Sequence, residues 1–330
     1  MRKSPREDTT VRRTILRALD GSGPFLLTGH VKPDGDFLGT ALGLARWLDA
    51  RGRSVVVVSR DGVPDPYGFL PGANGVRTEF PSDSSVYTAV ILDTPFPERT
   101  GAPSGYFDGV SFLVNIDHHP DNERFGDAAF VDPSASSVAL MVFEILETAE
   151  APIDEGSATA LFVGLFTDTG GFRFTNTGAR SLRAASELVR RGARPAEVAR
   201  AVYGSLEPSE LRLLGLVLSS VESALDGRVS ILYVTDGMRG EARTDEEGIE
   251  GLASYGRSVG GTEVAVLLRE QGPSVRVSLR SSGTLDVGTV ARELGGGGHG
   301  AAAGLVLDGP IAAARDRIVS AIRERFDRGD

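Results

Sequence analysis

The 330-residue chain is 41% hydrophobic and 24% charged, an ordinary soluble composition, and is longer than one core usually organises, so two domains are expected. A net charge of −10 argues against a protein that coats nucleic acid, without excluding a local basic pocket for a short anion. The lack of cysteine excludes disulfides, thiolate metal sites and a cysteine nucleophile, so any metal must be held by histidine and carboxylates.

The opening residues, MRKSPREDTTVRRTILRALD, have no apolar stretch of the kind a signal peptide needs. The longest apolar runs, SVVVVS and ALFVGLF, are too short to span a bilayer. A cytoplasmic protein with no membrane partner is the expectation.

The first half alternates strand and helix signals. GPFLLTGH reads as a short buried strand ending at His30. DFLGTALGLARWLDARG has helical spacing, with Leu38, Leu42, Ala45 and Leu48 on one face and Gly52 past the end. SVVVVS, VYTAVILDT and VSFLVNIDHH are continuous apolar runs, typical of strands covered on both faces. Such runs with helices between them predict a parallel sheet with crossovers.

From 136 to 222 the chain reads as mostly helical. Ser136 or Ser137 is placed to cap SSVALMVFEILETA, and GSATALFVGLFTDTG is a buried helix running into Asp168. EPSELRLLGLVLSSVESAL is amphipathic and reads as a helix joining two domains. After about 228 the pattern restarts. RVSILYVT, GTEVAVLLRE, SVRVSLRSS and LVLD are strands, VGTVAREL and IAAARDRIVSAIRERF are helices, and GGGGHGAAAG is a glycine-rich turn.

The fold class is therefore α/β. An N-terminal parallel-sheet domain with flanking helices occupies 1–205, a connecting helix 206–226, and a smaller α/β domain with a mixed sheet 227–330.

Chemistry-bearing residues gather at element ends. His30, Asp34 and Asp36 lie in GHVKPDGDFLGT between a strand end and a helix start, where Pro33 and Gly35 can turn all three side chains into one concavity. Imidazole with carboxylates suits Mn²⁺, Mg²⁺ or Zn²⁺. Asp93 ends one apolar run, and Asp117, His118 and His119 end another. In open α/β sheets this is the end where ligands bind. Asp168 closes a helix at its carboxyl end, where the dipole disfavours an acid, and two glycines follow; Arg173 and Asn176 beyond them could contact substrate. Gly295–Gly304, with His299, could form an anion-binding nest, and Arg280 could meet a phosphate. All four histidines of the chain, His30, His118, His119 and His299, fall in these segments.

In this order the segments resemble the DHH phosphoesterase superfamily, from about residue 24 to 307. The branch they look like has a DHH domain followed by a DHH-associated C-terminal domain and includes NrnA-type oligoribonucleases and 3′-phosphoadenosine-5′-phosphate phosphatases. RecJ exonucleases and family II inorganic pyrophosphatases are related. The resemblance implies two divalent metal ions, usually Mn²⁺, with Mg²⁺ or Co²⁺ as alternatives. His30, Asp34 and Asp93 would hold one ion and Asp36, Asp93, His118 and Asp168 the other, with Asp93 as bridge. His119 would contact the scissile phosphate and Asp117 would support the site from behind. Arg173, Arg280, Ser281, Gly296, Gly297, Gly298 and His299 would bind substrate.

The implied activity is hydrolysis of short oligoribonucleotides, adenosine 3′,5′-bisphosphate, or both, in a cleft too closed for a long polymer. Cyclic di-AMP or pApA is the alternative substrate, and a nucleotide-binding regulator without turnover is the alternative of another class. A homodimer is one assembly open to such a chain.

Overall fold

The computed structural model describes residues 5–149, 152–204, 207–244, 251–283 and 285–328; the side chains of 5–9 and of His299 lie outside what it describes. The chain divides into two compact units, Met1–Ser205 and Leu206–Asp330.

The first unit contains, in order, α1 (Pro5–Leu19), β1 (Phe25–Thr28), α2 (Gly35–Asp49), β2 (Val55–Val58), β3 (Thr88–Leu92), β4 (Phe112–Asp117), β5 (Ala128–Val131), α3 (Val138–Thr148), α4 (Glu155–Asp168), α5 (Ala179–Arg190) and α6 (Pro195–Tyr203). Its five strands pair in parallel in the order β2-β1-β3-β4-β5. The order reverses between β1 and β3. In an open parallel sheet, the carboxyl ends of the strands on either side of such a reversal frame the ligand crevice, because their following loops part in opposite directions. His30 follows β1 and Asp93 follows β3, so topology alone sets them at that crevice.

β1 is buried along its whole length, which explains its uninterrupted FLLT. One face of the sheet packs on α2, α3 and α4 in the main core, through side chains such as Phe25, Leu27, Val90, Leu92 and Phe162. The other face carries a smaller cluster of Leu26, Val58, Ala89, Ile91 and Phe107.

That second face departs from expectation. The connections β2→β3 and β3→β4 hold short 3₁₀ turns, not α-helices. Their sequences explain it: Pro64, Pro66, Pro71, Gly68, Gly72 and Gly75 interrupt the first, and no helix can run through that density of breakers. β5 is a further addition, four residues at the sheet edge and too short to carry a pattern.

Helices α2 and α4 approach closely because Gly39 permits it. A Cβ there would lie 2.4 Å from the Ala160 carbonyl oxygen and 2.7 Å from the Gly164 amide nitrogen. Backbone cannot rotate aside, so this contact fixes how near the two helices that carry Asp36 and Asp168 can lie.

The second unit contains α7 (Pro208–Ser219), β6 (Glu222–Ala224), β7 (Val229–Val234), α8 (Asp236–Ala242), α9 (Leu252–Gly256), β8 (Val264–Gln271), β9 (Ser274–Ser281), α10 (Val287–Glu293), β10 (Gly297–His299), β11 (Ala302–Asp308) and α11 (Ile311–Arg328). The sheet order is β10-β11-β9-β8-β7-β6, with β7 and β8 parallel and the other pairs antiparallel. Alternation along β7 serves two cores. Val229 and Ile231 face the cluster beneath α10 and α11, and Leu232 and Val234 face the cluster beneath α7, α8 and α9.

Two sequence expectations are corrected here. The helix expected over 206–226 stops at Ser219, and Glu222–Ala224 pairs with β7 instead. Leu213 and Val217 of α7 are buried in the second unit's core, so the helix is part of that unit. The glycine-rich stretch is not a free turn. Gly297–His299 forms β10, antiparallel to Ala302–Gly304. Gly298 has φ 138°, and a Cβ on it would meet the Ala302 carbonyl oxygen and the Ala303 Cα at 2.5 Å. The glycine there serves close strand approach. Among the described residues no helix is long and apolar enough to cross a membrane.

Candidate metal centre

Seven of the residues singled out in the sequence, His30, Asp34, Asp36, Asp93, His118, His119 and Asp168, come together in the first unit. They form three overlapping groups in which the potential ligand atoms lie within 4.8 Å of one another: His30, Asp34 and Asp93; Asp36, His118 and Asp168; and Asp93, His118 and His119.

Asp93 is the shared member. It sits just past β3 with φ 53°, a left-handed conformation that costs a non-glycine residue about 1 kcal/mol or more. The turn aims its buried carboxylate along the crevice. Oδ2 lies 3.4 Å from His30 Nε2, and Oδ1 lies 3.4 Å from His118 Nε2. One carboxylate thus addresses two imidazoles with two different oxygens.

The imidazoles are oriented by acceptors behind them. His30 Nδ1 donates to the Val31 carbonyl oxygen at 2.9 Å, and His118 Nδ1 to the Ala135 carbonyl oxygen at 3.2 Å. A carbonyl oxygen can only accept, so Nδ1 carries a proton and Nε2 is turned toward the acids. This is how metal-binding histidines are commonly pre-set. His119 Nδ1 donates to Asp117 Oδ1 at 2.8 Å. Asp117 is fully buried, and its Oδ2 accepts from Asn122 Nδ2 at 2.7 Å. Asn122 also donates to Asn115 Oδ1 at 2.9 Å, so a chain of amide hydrogen bonds fixes the acid that fixes His119.

Asp34 is both cap and candidate ligand: its Oδ1 accepts from the Asp36 and Phe37 amides at the start of α2. Asp36 is almost wholly buried. Its oxygens accept from the Val138 amide at 2.6 Å and the Ala139 amide at 2.9 Å, first-turn donors of α3 that have no acceptor within the helix. Ser137 caps that helix by accepting from the Leu140 amide. Ser136 turns to Ser181 instead.

Electrostatics show a site with surplus negative charge. Burial alone would lower the pKa of His30, but Asp34 and Asp93 outweigh it and lift it from 6.5 to about 10. Burial likewise opposes protonation of His118, and Asp93, Asp168 and Asp36 overcome it, raising the value to about 11. His119 is raised too, with burial outweighed by Asp117 and Asp93. Burial, then the charges of Asp93 and Asp168, pushes Asp36 well above the carboxylate range, and burial takes Asp168 to about 7. Burial would raise Asp93 as well, yet His118 and His30 beside it hold it well below the usual range. Opposed shifts of this kind are what closely set acids and imidazoles impose on one another.

Two buried carboxylate oxygens, Asp93 Oδ1 and Asp168 Oδ2, accept no hydrogen bond. Unpaired buried oxygens are costly, and here they belong to one cluster of hard oxygen and imidazole donors. The donor set fits divalent cations such as Mn²⁺, Mg²⁺ or Zn²⁺.

The other sequence candidates are placed differently. Arg173 is exposed on the loop after Asp168, its Nε donating to the Gly170 carbonyl oxygen at 2.6 Å, outside the three groups. Asn176, exposed on the same loop, donates its amide to the Ser136 and Asp168 carbonyl oxygens. Arg280, Ser281, Gly296, Gly297, Gly298 and His299 belong to the second unit. Arg280 lies on β9 and donates to the Leu279 carbonyl oxygen at 3.0 Å; burial and the charges of Arg257 and Arg269 lower its pKa. Ser281 is buried and accepts from the Gly283 amide. The Gly296 amide donates to the Ala291 carbonyl oxygen, and Gly297 and Gly298 pair with β11. The His299 side chain lies outside the described residues. Nothing in the sequence signals the backbone donors at 138 and 139 or the acceptor at 135; only the candidate cap at Ser136 or Ser137 points to the helix start.

Residues 24–165 match the DHH family, N-terminal domain, and residues 226–328 match the DHHA1 domain. Over 316 residues the chain is 36% identical to the bifunctional oligoribonuclease and PAP phosphatase NrnA of Thermus thermophilus, spanning 95% of this chain and 93% of that one. The chain belongs to the DHH family. NrnA of Bacillus subtilis is 29% identical across 89% of this chain and 92% of its own length. The cyclic-di-AMP phosphodiesterase PdeA of Listeria monocytogenes is 25% identical, but the match spans 49% of that protein. An exopolyphosphatase-related protein from Bacteroides fragilis superposes with a TM-score of 0.90 at 25% identity, covering 96% of both chains. RecJ of Thermus thermophilus in complex with Mn²⁺ shares the fold, with a TM-score of 0.54 over 96% of this chain and 55% of that one.

Proposed function

We propose that this DHH-family chain is a two-metal phosphoesterase that hydrolyses short oligoribonucleotides and removes the 3′-phosphate of adenosine 3′,5′-bisphosphate. The observation that carries the reading is Asp93, one buried carboxylate facing His30 with one oxygen and His118 with the other. His30, Asp34 and Asp93 would hold one divalent ion; Asp36, Asp93, His118 and Asp168 would hold the second, with Mn²⁺ the first candidate. When bound, such ions supply Lewis acidity toward a phosphate and a nucleophilic water at neutral pH.

The protein's own groups provide the rest. Asp117 holds the His119 Nδ1 proton, so the ring presents Nε2 on its opposite side to a phosphate oxygen or leaving group. Burial of Asp36 and Asp93 keeps bulk water from solvating the carboxylates, so their attraction for a divalent cation would be little screened. The substrate classes come from the NrnA relatives, which match nearly end to end. Arg280 and the β10 segment are proposed to hold the substrate's nucleotide end. The protein is proposed to work in the cytoplasm.

A cyclic-di-AMP activity has weaker support, since PdeA is matched over only half its length. One parallel assay decides between them. With Mn²⁺ present, a diribonucleotide and adenosine 3′,5′-bisphosphate should be consumed, and cyclic di-AMP and pyrophosphate should turn over far more slowly. Preferential consumption of cyclic di-AMP would replace the substrate assignment. Nucleotide binding with no turnover of any of the four would make the protein a regulator.

A further inference from the structure

Residues 132–137, between β5 and α3, are linked to three candidate ligands, to one directly, to one through Asn176 and to one through the two amides that follow the segment. The Ala135 carbonyl oxygen accepts from His118 Nδ1. The Ser136 carbonyl oxygen accepts from Asn176 Nδ2, whose other contact is the Asp168 carbonyl oxygen. The amides of Val138 and Ala139, immediately after the segment, donate to Asp36. His118, Asp168 and Asp36 are the members of one of the three groups. No hydrogen bond or ion pair described in the structure joins this segment to His30 or Asp34.

The segment is clamped from α5. Asp132 folds it through Oδ1, which accepts from the Ser134 amide and hydroxyl. Asp132 Oδ2 accepts from Arg180 Nη1 at 2.7 Å. The same guanidinium forks onto Glu144 of α3 through Nε and Nη2, and Arg12 of α1 also donates to Glu144. Next to it, the Ser181 hydroxyl donates to Ser136 Oγ at 2.8 Å. Arg180 therefore ties the beginning of the segment to the body of the helix that ends it. A planar guanidinium can hold two carboxylates at fixed angles; a lysine ammonium cannot.

We infer that Arg180 is a positioning residue for one of the two metal sites, that of Asp36, His118 and Asp168, acting through the 132–137 segment and leaving the site of His30 and Asp34 untouched. The inference rests on the two-metal reading above. Residues behind metal ligands typically govern affinity by 10–100-fold, about the range expected here. The direction is diagnostic. Removing a cation near an acidic cluster would by simple electrostatics tighten metal binding at both sites. Loss of positioning weakens one site alone.

The test is a Mn²⁺ titration of the full chain, read by the loss of the free-ion electron paramagnetic resonance signal, for wild type, Arg180→Met, Arg180→Lys and Ser181→Ala. Wild type should show two equivalents. In Arg180→Met one of them should weaken by about 10–100-fold and the other stay in place. Arg180→Lys should weaken the same equivalent, and Ser181→Ala, which changes no charge, should weaken it less. Combining Arg180→Met with Asp168→Asn should leave the other equivalent in place, because both act on one site. With saturating Mn²⁺, Arg180→Met should recover turnover of adenosine 3′,5′-bisphosphate with unchanged KM. Equal weakening of both equivalents, tighter binding, or unchanged binding in a folded variant overturns the inference. If Arg180→Met does not fold, Ser181→Ala decides by the same criterion. Absence of two equivalents in wild type would strike the two-metal reading itself.

Discussion

Asp93→Ala is expected to lose both metal ions and to slow phosphate-ester hydrolysis by roughly 10³-fold or more, since losing several kcal/mol of Lewis-acid stabilisation corresponds to factors of that order. The expectation follows from the shape of the site. Asp93 Oδ2 faces His30 and Oδ1 faces His118, so one truncation removes a donor from each proposed ion. No neighbour can substitute: Asp117 is occupied by His119 and Asn122, and Asp34 Oδ1 by the α2 amides. The fold should survive, because alanine removes a buried charge and leaves β3 and its neighbours intact. Elemental analysis after dialysis against Mn²⁺, alongside kcat and circular dichroism, checks the result. A folded variant that retains two equivalents would remove Asp93 as the bridge.

His119→Asn is expected to behave differently. Its effect should be a fall in kcat of about 10²–10⁴-fold, the range for a positioned proton donor or acceptor, with metal content unchanged. Asparagine can still donate to Asp117 but has nothing to offer on the far side of the ring. If His119 acts only as the transition state forms, kcat and kcat/KM should fall together. His119 also belongs to a group with Asp93 and His118 that could hold an ion. Loss of a metal equivalent in this variant would make it a ligand, and a rise in KM alone would make it a binding residue.

Much of the site was legible in the sequence because its chemistry is carried by side chains at element ends. His30, Asp93 and Asp117–His119 each follow an apolar run, and a parallel sheet brings such ends together. The strand order was not legible. Nothing in FLLT, VVVV or TAVIL tells which strand is central, so the crevice between β1 and β3 emerged only with the pairing. The supporting layer was hidden for another reason. Asp36 is held by backbone amides of Val138 and Ala139, a hundred residues away and without any side-chain signature. The glycine run of the second unit was ambiguous because glycine serves phosphate nests and close strand packing alike. Only the neighbours of Gly298 distinguish the two uses, and they are the backbone of β11.

The most direct measurement is turnover against metal content. Protein stripped with a chelator and dialysed should not hydrolyse adenosine 3′,5′-bisphosphate or a diribonucleotide. Stepwise addition of Mn²⁺ should restore hydrolysis, reaching full rate only as a second equivalent binds. Undiminished turnover by protein shown by elemental analysis to be free of metal, or full rate at one equivalent, would contradict the account.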